Sequence, residues 1–83
     1  MKAKVGLLVF FEYNGEEYER EIESIKVYKN YSWYGDLGFG GNVEFLIHGN
    51  LDENNEPIMD GLAIQVDGVG IHDYVREGIT FME

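Results

Sequence analysis

The 83-residue chain contains no cysteine, two histidines, and six basic residues against sixteen acidic ones. Without cysteine there is no disulfide framework, no thiolate metal site and no cysteine nucleophile, a usage that fits a reducing compartment. A cytoplasmic location is the expectation. No apolar run approaches the length of a membrane-spanning helix. Val5–Phe11 is apolar and follows Lys2 and Lys4 as a secretion signal would. No small-residue cleavage site follows it, however, and Glu12 opens a charged stretch, so the run reads as a strand. Sustained 3.6-residue periodicity with caps is also missing, which predicts little helix.

Residues that carry chemistry are sparse. The oxygen nucleophiles are Ser24, Ser32, Thr80 and the tyrosines, and only His48 and His72 could act as a base near neutral pH. His72 and Asp73 are adjacent, and neighbours on a strand point to opposite faces, so they form no dyad. Two carboxylates at glycosidase spacing would occur by chance among sixteen acids. Asp52, Asn54, Glu56 and Asp60 depart from a calcium loop, because Pro57 and Ala63 stand where glycine and glutamate are required. They read as a solvated loop. Gly38-Phe39-Gly40-Gly41 lacks the lysine and the helix start of a phosphate loop. No catalytic residue, cofactor or metal site is expected.

What is present starts with Asn14-Gly15. Between two alternating runs this dipeptide predicts a two-residue type I′ hairpin, since both positions need positive φ. The turn sets a register in which Tyr13 lies opposite Glu16, Phe11 opposite Tyr18, Val9 opposite Arg20 and Leu7 opposite Ile22. The other face collects Glu12, Glu17, Glu19, Glu21 and Glu23, a column with carboxylates about 6.6 Å apart along the strand. Such neighbours repel by roughly 0.6 kcal/mol each in water, a cost that a small domain tolerates. Leu8 and Phe10 share that face, so strand 1, about Ala3 to Tyr13, reads as a central strand with a partly covered second face. A β-bulge near Glu23-Ser24 is expected, to bring Ile25 and Val27 back into phase with Ile22.

Asn30 to Asn42 holds four glycines and four aromatics and reads as a loop presenting Tyr31, Trp33, Tyr34 and Phe39. Val43 to His48 alternates as a third strand, and Gly49 to Pro57 is a polar connection. Ile58 to Val66 is a fourth strand interrupted at Asp60-Gly61. Asp67-Gly68 signals a second two-residue hairpin, leading to a strand that ends near Tyr74. Arg76-Glu77-Gly78 is a turn before a short last strand, Ile79 to Met82. The expectation is one all-β domain, an antiparallel β-sandwich or partly open barrel of five to six strands. Its core is expected to hold Val5, Leu7, Val9, Phe11, Ile22, Phe45, Ile47, Ile64, Val66 and Ile71.

The net charge of −10 repels nucleic acid and anionic membranes and attracts basic surfaces. Residues 1–29 carry five basic and six acidic groups, residues 30–83 one and ten. The hairpin is therefore polarised, with its carboxylates near the turn and its lysines at the opposite end. The expected function is a small non-enzymatic interaction protein that offers carboxylates to a basic protein surface, in its finer form a nucleic-acid mimic that blocks a DNA- or RNA-binding enzyme. In size, charge and lack of cysteine the chain resembles small acidic inhibitors encoded by phages and mobile elements, a resemblance of composition only. The alternatives are a carbohydrate- or peptide-binding module using the aromatic loop, and a subunit of a phage particle or other assembly.

Overall fold

The Asn14-Gly15 turn forms as the dipeptide predicts, with φ of 55° and 82°. The computed structural model describes residues 1–83, and the turn joins β1 (Leu8–Tyr13) to β2 (Glu16–Glu21) in the expected register. β1 is central, since β8 (Thr80–Met82) pairs along its other edge in the order β2-β1-β8. Alternation sends Leu7, Val9 and Phe11 into the core, while Leu8 and Phe10 on the opposite face are half-buried.

No bulge interrupts one long second strand at Glu23-Ser24; instead the chain changes sheet. Ile22 still bonds to the first hairpin, its amide donating to Leu7 O at 3.0 Å, but the Glu23 amide donates to Asp36 O at 2.8 Å. The parity change at this point reflects that switch. From Ser24 the chain runs in a five-stranded antiparallel sheet, ordered β3 (Ser24–Tyr28), β4 (Ser32–Gly40), β5 (Val43–Gly49), β6 (Ala63–Gly68), β7 (Ile71–Val75). Splitting the second strand and gaining β4 raises the count to eight, in two sheets with no helix, and so none able to cross a membrane.

The segment 30–42 is thus not a loop. Its glycines make room for neighbours: a Cβ on Gly35 would lie 2.4 Å from Ser24 O, and one on Gly40 2.5 Å from the Phe45 ring. The second hairpin also differs from expectation. Its turn is Val69-Gly70, and β6 pairs with β7 through Gly68↔Ile71, Val66↔Asp73 and Ile64↔Val75. Gly68 stays in the strand because Val43 packs against it, where a Cβ would come within 2.9 Å of Val43 Cγ1.

The core lies between the sheets and contains Leu7, Val9, Phe11, Ile22, Phe45, Ile47, Ile64 and Val66 as expected, joined by Trp33, Leu37, Val43 and Met59. Each large side chain so buried contributes roughly 1.5–3 kcal/mol. Phe11, Tyr18 and Phe45 form its aromatic centre, with ring centroids 4.8–5.4 Å apart. Two expected core residues lie outside. Val5 is 61% exposed because the chain bends at Gly6 (φ 96°) before β1 begins, and Ile71 is 36% exposed because the shifted turn leaves it at a hairpin tip.

The N-terminal residues strap the connection between β5 and β6. The Ala3 amide donates to Pro57 O and the Met59 amide to Met1 O. Lys2 Nζ reaches Asp52 Oδ2 at 2.6 Å and Glu56 Oε1 at 3.0 Å. Asp52 Oδ1 accepts from the amides of Asn54 and Glu56, so its carboxylate serves this clasp. Together these bonds, with Lys2 the largest influence, hold Asp52 down at a pKa of about 2.

Candidate interaction surfaces

The outer face of the three-stranded sheet follows from pairing. Leu8 stands between Glu21 and Met82, and Phe10 between Glu19 and Thr80, while Glu12 is opposite Glu17. Directly opposed residues share a face, so a central apolar row is flanked on the β2 side by Glu17, Glu19 and Glu21. All four carboxylates, Glu12 included, are exposed, and none is in an ion pair; the cations that do pair are Lys2, Lys4 and His72. The turn before β8 brings in Glu77, so Phe10 floors a shallow hollow rimmed by Glu12, Glu17, Glu19 and Glu77. An aromatic floor within a ring of carboxylates suits the aliphatic stem and charged head of lysine or arginine. Glu77 joins the face only through the β7–β8 turn.

Glu23 leaves the column. Past the change of sheet it lies beside Gly38, where a Cβ would meet its carboxylate oxygens at 3.5 and 3.6 Å. With Glu19 and Glu21 it borders a second recess, whose far wall is Leu37, Gly38 and Phe39. Arg20 also lines this recess, with its guanidinium carbon 5.5 Å from the Tyr18 ring centre and 6.0 Å from that of Phe45.

The four aromatics of residues 30–42 do not form one platform. Trp33 is fully buried, and its indole N–H donates to Ile58 O at 2.7 Å. Tyr31, 74% exposed, lies at the β3–β4 turn near Tyr28, with ring centroids 6.1 Å apart. Tyr34 is half-buried with its ring near His48, and Phe39, 68% exposed, follows the register shift in β4. Alternation along a strand separates Trp33 from Tyr34 by sending adjacent side chains to opposite faces.

The outer face of the five-stranded sheet carries a polar ladder across β5, β6 and β7. His48 Nε2 is 2.8 Å from Gln65 Oε1, Gln65 Nε2 donates to Asp67 Oδ2 at 2.6 Å, and Asp67 Oδ1 is 2.7 Å from His72 Nδ1. The His72 hydrogen bond, then that from Gln65, lowers the Asp67 pKa. His72 therefore partners Asp67 across the strands rather than its neighbour Asp73. This ladder is invisible with the turn at Asp67-Gly68; a turn at Val69-Gly70 places Asp67 opposite His72. The ladder consists of imidazole, amide and carboxylate, and no hydroxyl is hydrogen-bonded to either ring.

No family model, curated protein or solved structure matches the chain.

Proposed function

We propose that the protein is an interaction module whose working surface is the outer face of the three-stranded sheet, offered to a basic surface on a partner protein. The observation that carries this reading is the row Glu17, Glu19, Glu21 with Glu12 beside it, all exposed and free of ion pairs, along a half-covered apolar row of Leu8 and Phe10. Mutual repulsion among these carboxylates is relieved when cations dock between them, and the apolar row adds area that a purely solvated face would not offer. The net charge of −10 steers the encounter from a distance.

Its finer form has the carboxylates standing in for phosphates in the groove of a nucleic-acid-binding protein. Support comes from spacing: alternate strand residues advance about 6.6 Å, close to every second phosphate of a duplex strand at about 3.4 Å each. Because the chain leaves the sheet after Ile22, before Glu23 can join the row, the in-line row is three carboxylates long. Such a mimic covers a short stretch of groove.

The test is a charge reversal, Glu19→Lys with Glu21→Lys, against the partner captured from the native cell at low ionic strength. Both residues are exposed, so the fold should hold or gain slightly as repulsion is relieved. Association should slow more than dissociation quickens, and binding by the wild-type chain should collapse as salt rises. Affinity within about twofold of wild type across salt concentrations would remove the acidic face from the reading. Displacement by a DNA or RNA oligonucleotide tests the mimicry separately.

A further inference from the structure

The hairpin register decides where the backbone of β2 points. Tyr13 and Glu16 flank a two-residue turn and so exchange hydrogen bonds, and the exchange recurs at every second pair, Phe11 with Tyr18 and Val9 with Arg20. Ile22, next in that series, duly donates to Leu7 O. The residues between, Glu17, Glu19 and Glu21, therefore turn their N–H and C=O groups away from β1. Nothing takes them up: β2 is an edge strand that pairs only with β1, and none of the three amides or carbonyls enters the backbone bonds made outside the ladders. Near Glu19 and Glu21 the edge borders the recess that Arg20 and Leu37–Phe39 also line.

We propose that this edge receives an extended segment of a partner protein with lysine or arginine at every second position, which adds antiparallel to β2 as a fourth strand. The inference rests on the reading of the acidic face given above and names the partner's chemistry. The same three residues supply both the free backbone groups and the carboxylates. A strand bonded to them places its own alternate side chains directly opposite Glu17, Glu19 and Glu21, on the same face, at about 5 Å between Cβ atoms. Basic residues there meet three carboxylates in register. A helix cannot match a two-residue period, since its side chains turn about 100° per residue. A second copy of this chain is disfavoured, because two β2 edges pair glutamate against glutamate. Charge thus blocks self-association along the edge while selecting a basic strand.

The experiment uses the full chain and three short synthetic peptides of equal charge. One alternates lysine with threonine and valine, the second has the same composition with its lysines in a block, and the third is the alternating peptide with every lysine amide N-methylated. The alternating peptide should bind at least about tenfold more tightly than either other, the equivalent of roughly one net hydrogen bond. It should also slow amide exchange at Glu17, Glu19 and Glu21 while leaving Tyr18 and Arg20 as protected as before. Equal binding of all three peptides overturns strand addition but keeps an acidic face that attracts cations. Binding by none of them overturns both readings, and unchanged exchange at the three glutamates overturns strand addition by itself.

Discussion

Replacing Gly49 by alanine should be among the most damaging single-methyl additions this protein can suffer. Gly49 closes β5 directly opposite Trp33, and the indole lies over its backbone. A Cβ at Gly49 would sit 2.4 Å from Trp33 Nε1, 2.7 Å from Cε2 and 2.9 Å from Cζ2. The ring has little freedom to retreat, being fully buried and tied to Ile58 O by a 2.7 Å hydrogen bond. Overpacking of this kind costs about 1–3 kcal/mol, and if the ring tilts, leaving a buried donor and acceptor unpaired costs about 1–3 kcal/mol more. The sum, about 2–6 kcal/mol, compares with a total stability of roughly 4–12 kcal/mol for a domain of this length. Urea unfolding should show a lowered midpoint at unchanged slope. A double-mutant cycle locates the cause: with Trp33→Leu in place the indole is gone, and Gly49→Ala should cost at least about 1 kcal/mol less than it does in the wild-type chain. A penalty below about 0.5 kcal/mol in the wild type, or equal penalties in both backgrounds, would refute the role assigned to the Trp33–Gly49 contact.

The first hairpin supplies a purely conformational counterpart. Gly15 has φ of 82°, and a Cβ there would meet no atom within 4 Å, so Gly15→Val should lose more than about 1 kcal/mol through backbone strain alone, and Gly15→Asn clearly less. Equal melting temperatures for the two variants would show that strain is not the cause. The clasp at Lys2 should leave a pH signature. Asp52 has its pKa depressed to about 2, so its contribution is complete above its unfolded value near 4 and is lost as pH falls through the folded one. Lys2 has its pKa raised by the hydrogen bonds to Asp52 and Glu56, so its contribution is complete below its ordinary 10.5 and is lost as pH rises through the raised value. The gap in melting temperature between wild type and Lys2→Met should therefore be widest in the neutral range and shrink toward pH 2; a gap independent of pH would assign the clasp to packing.

How much of this was readable in the residues depends on how local each cause is. The Asn14-Gly15 turn needs only that two adjacent residues accept positive φ, so the turn, its register and the placement of Glu12, Glu17, Glu19 and Glu21 on one face all follow from the chain itself, whereas that β2 is an edge strand is decided by the sheet order. The same holds for Val43, Phe45 and Ile47, whose alternation states which face is buried. Asp67-Gly68 and Val69-Gly70 both offer glycine after a residue that can begin a turn. The choice falls to Val43, which packs against Gly68 and keeps it in the strand, and with that choice come the Asp67–His72 contact and the ladder. The glycines of residues 30–42 carry the same lesson. Glycine in isolation signals a break, because it adds backbone entropy and no packing surface. Gly35, Gly40 and Gly49 sit within strands because the Ser24 backbone, the Phe45 ring and the Trp33 ring occupy the space a Cβ would fill, and those neighbours come from other strands. The burial of Trp33, the change of sheet after Ile22 and the departure of Glu23 from the acidic row were likewise decided only when the two sheets closed over a shared core.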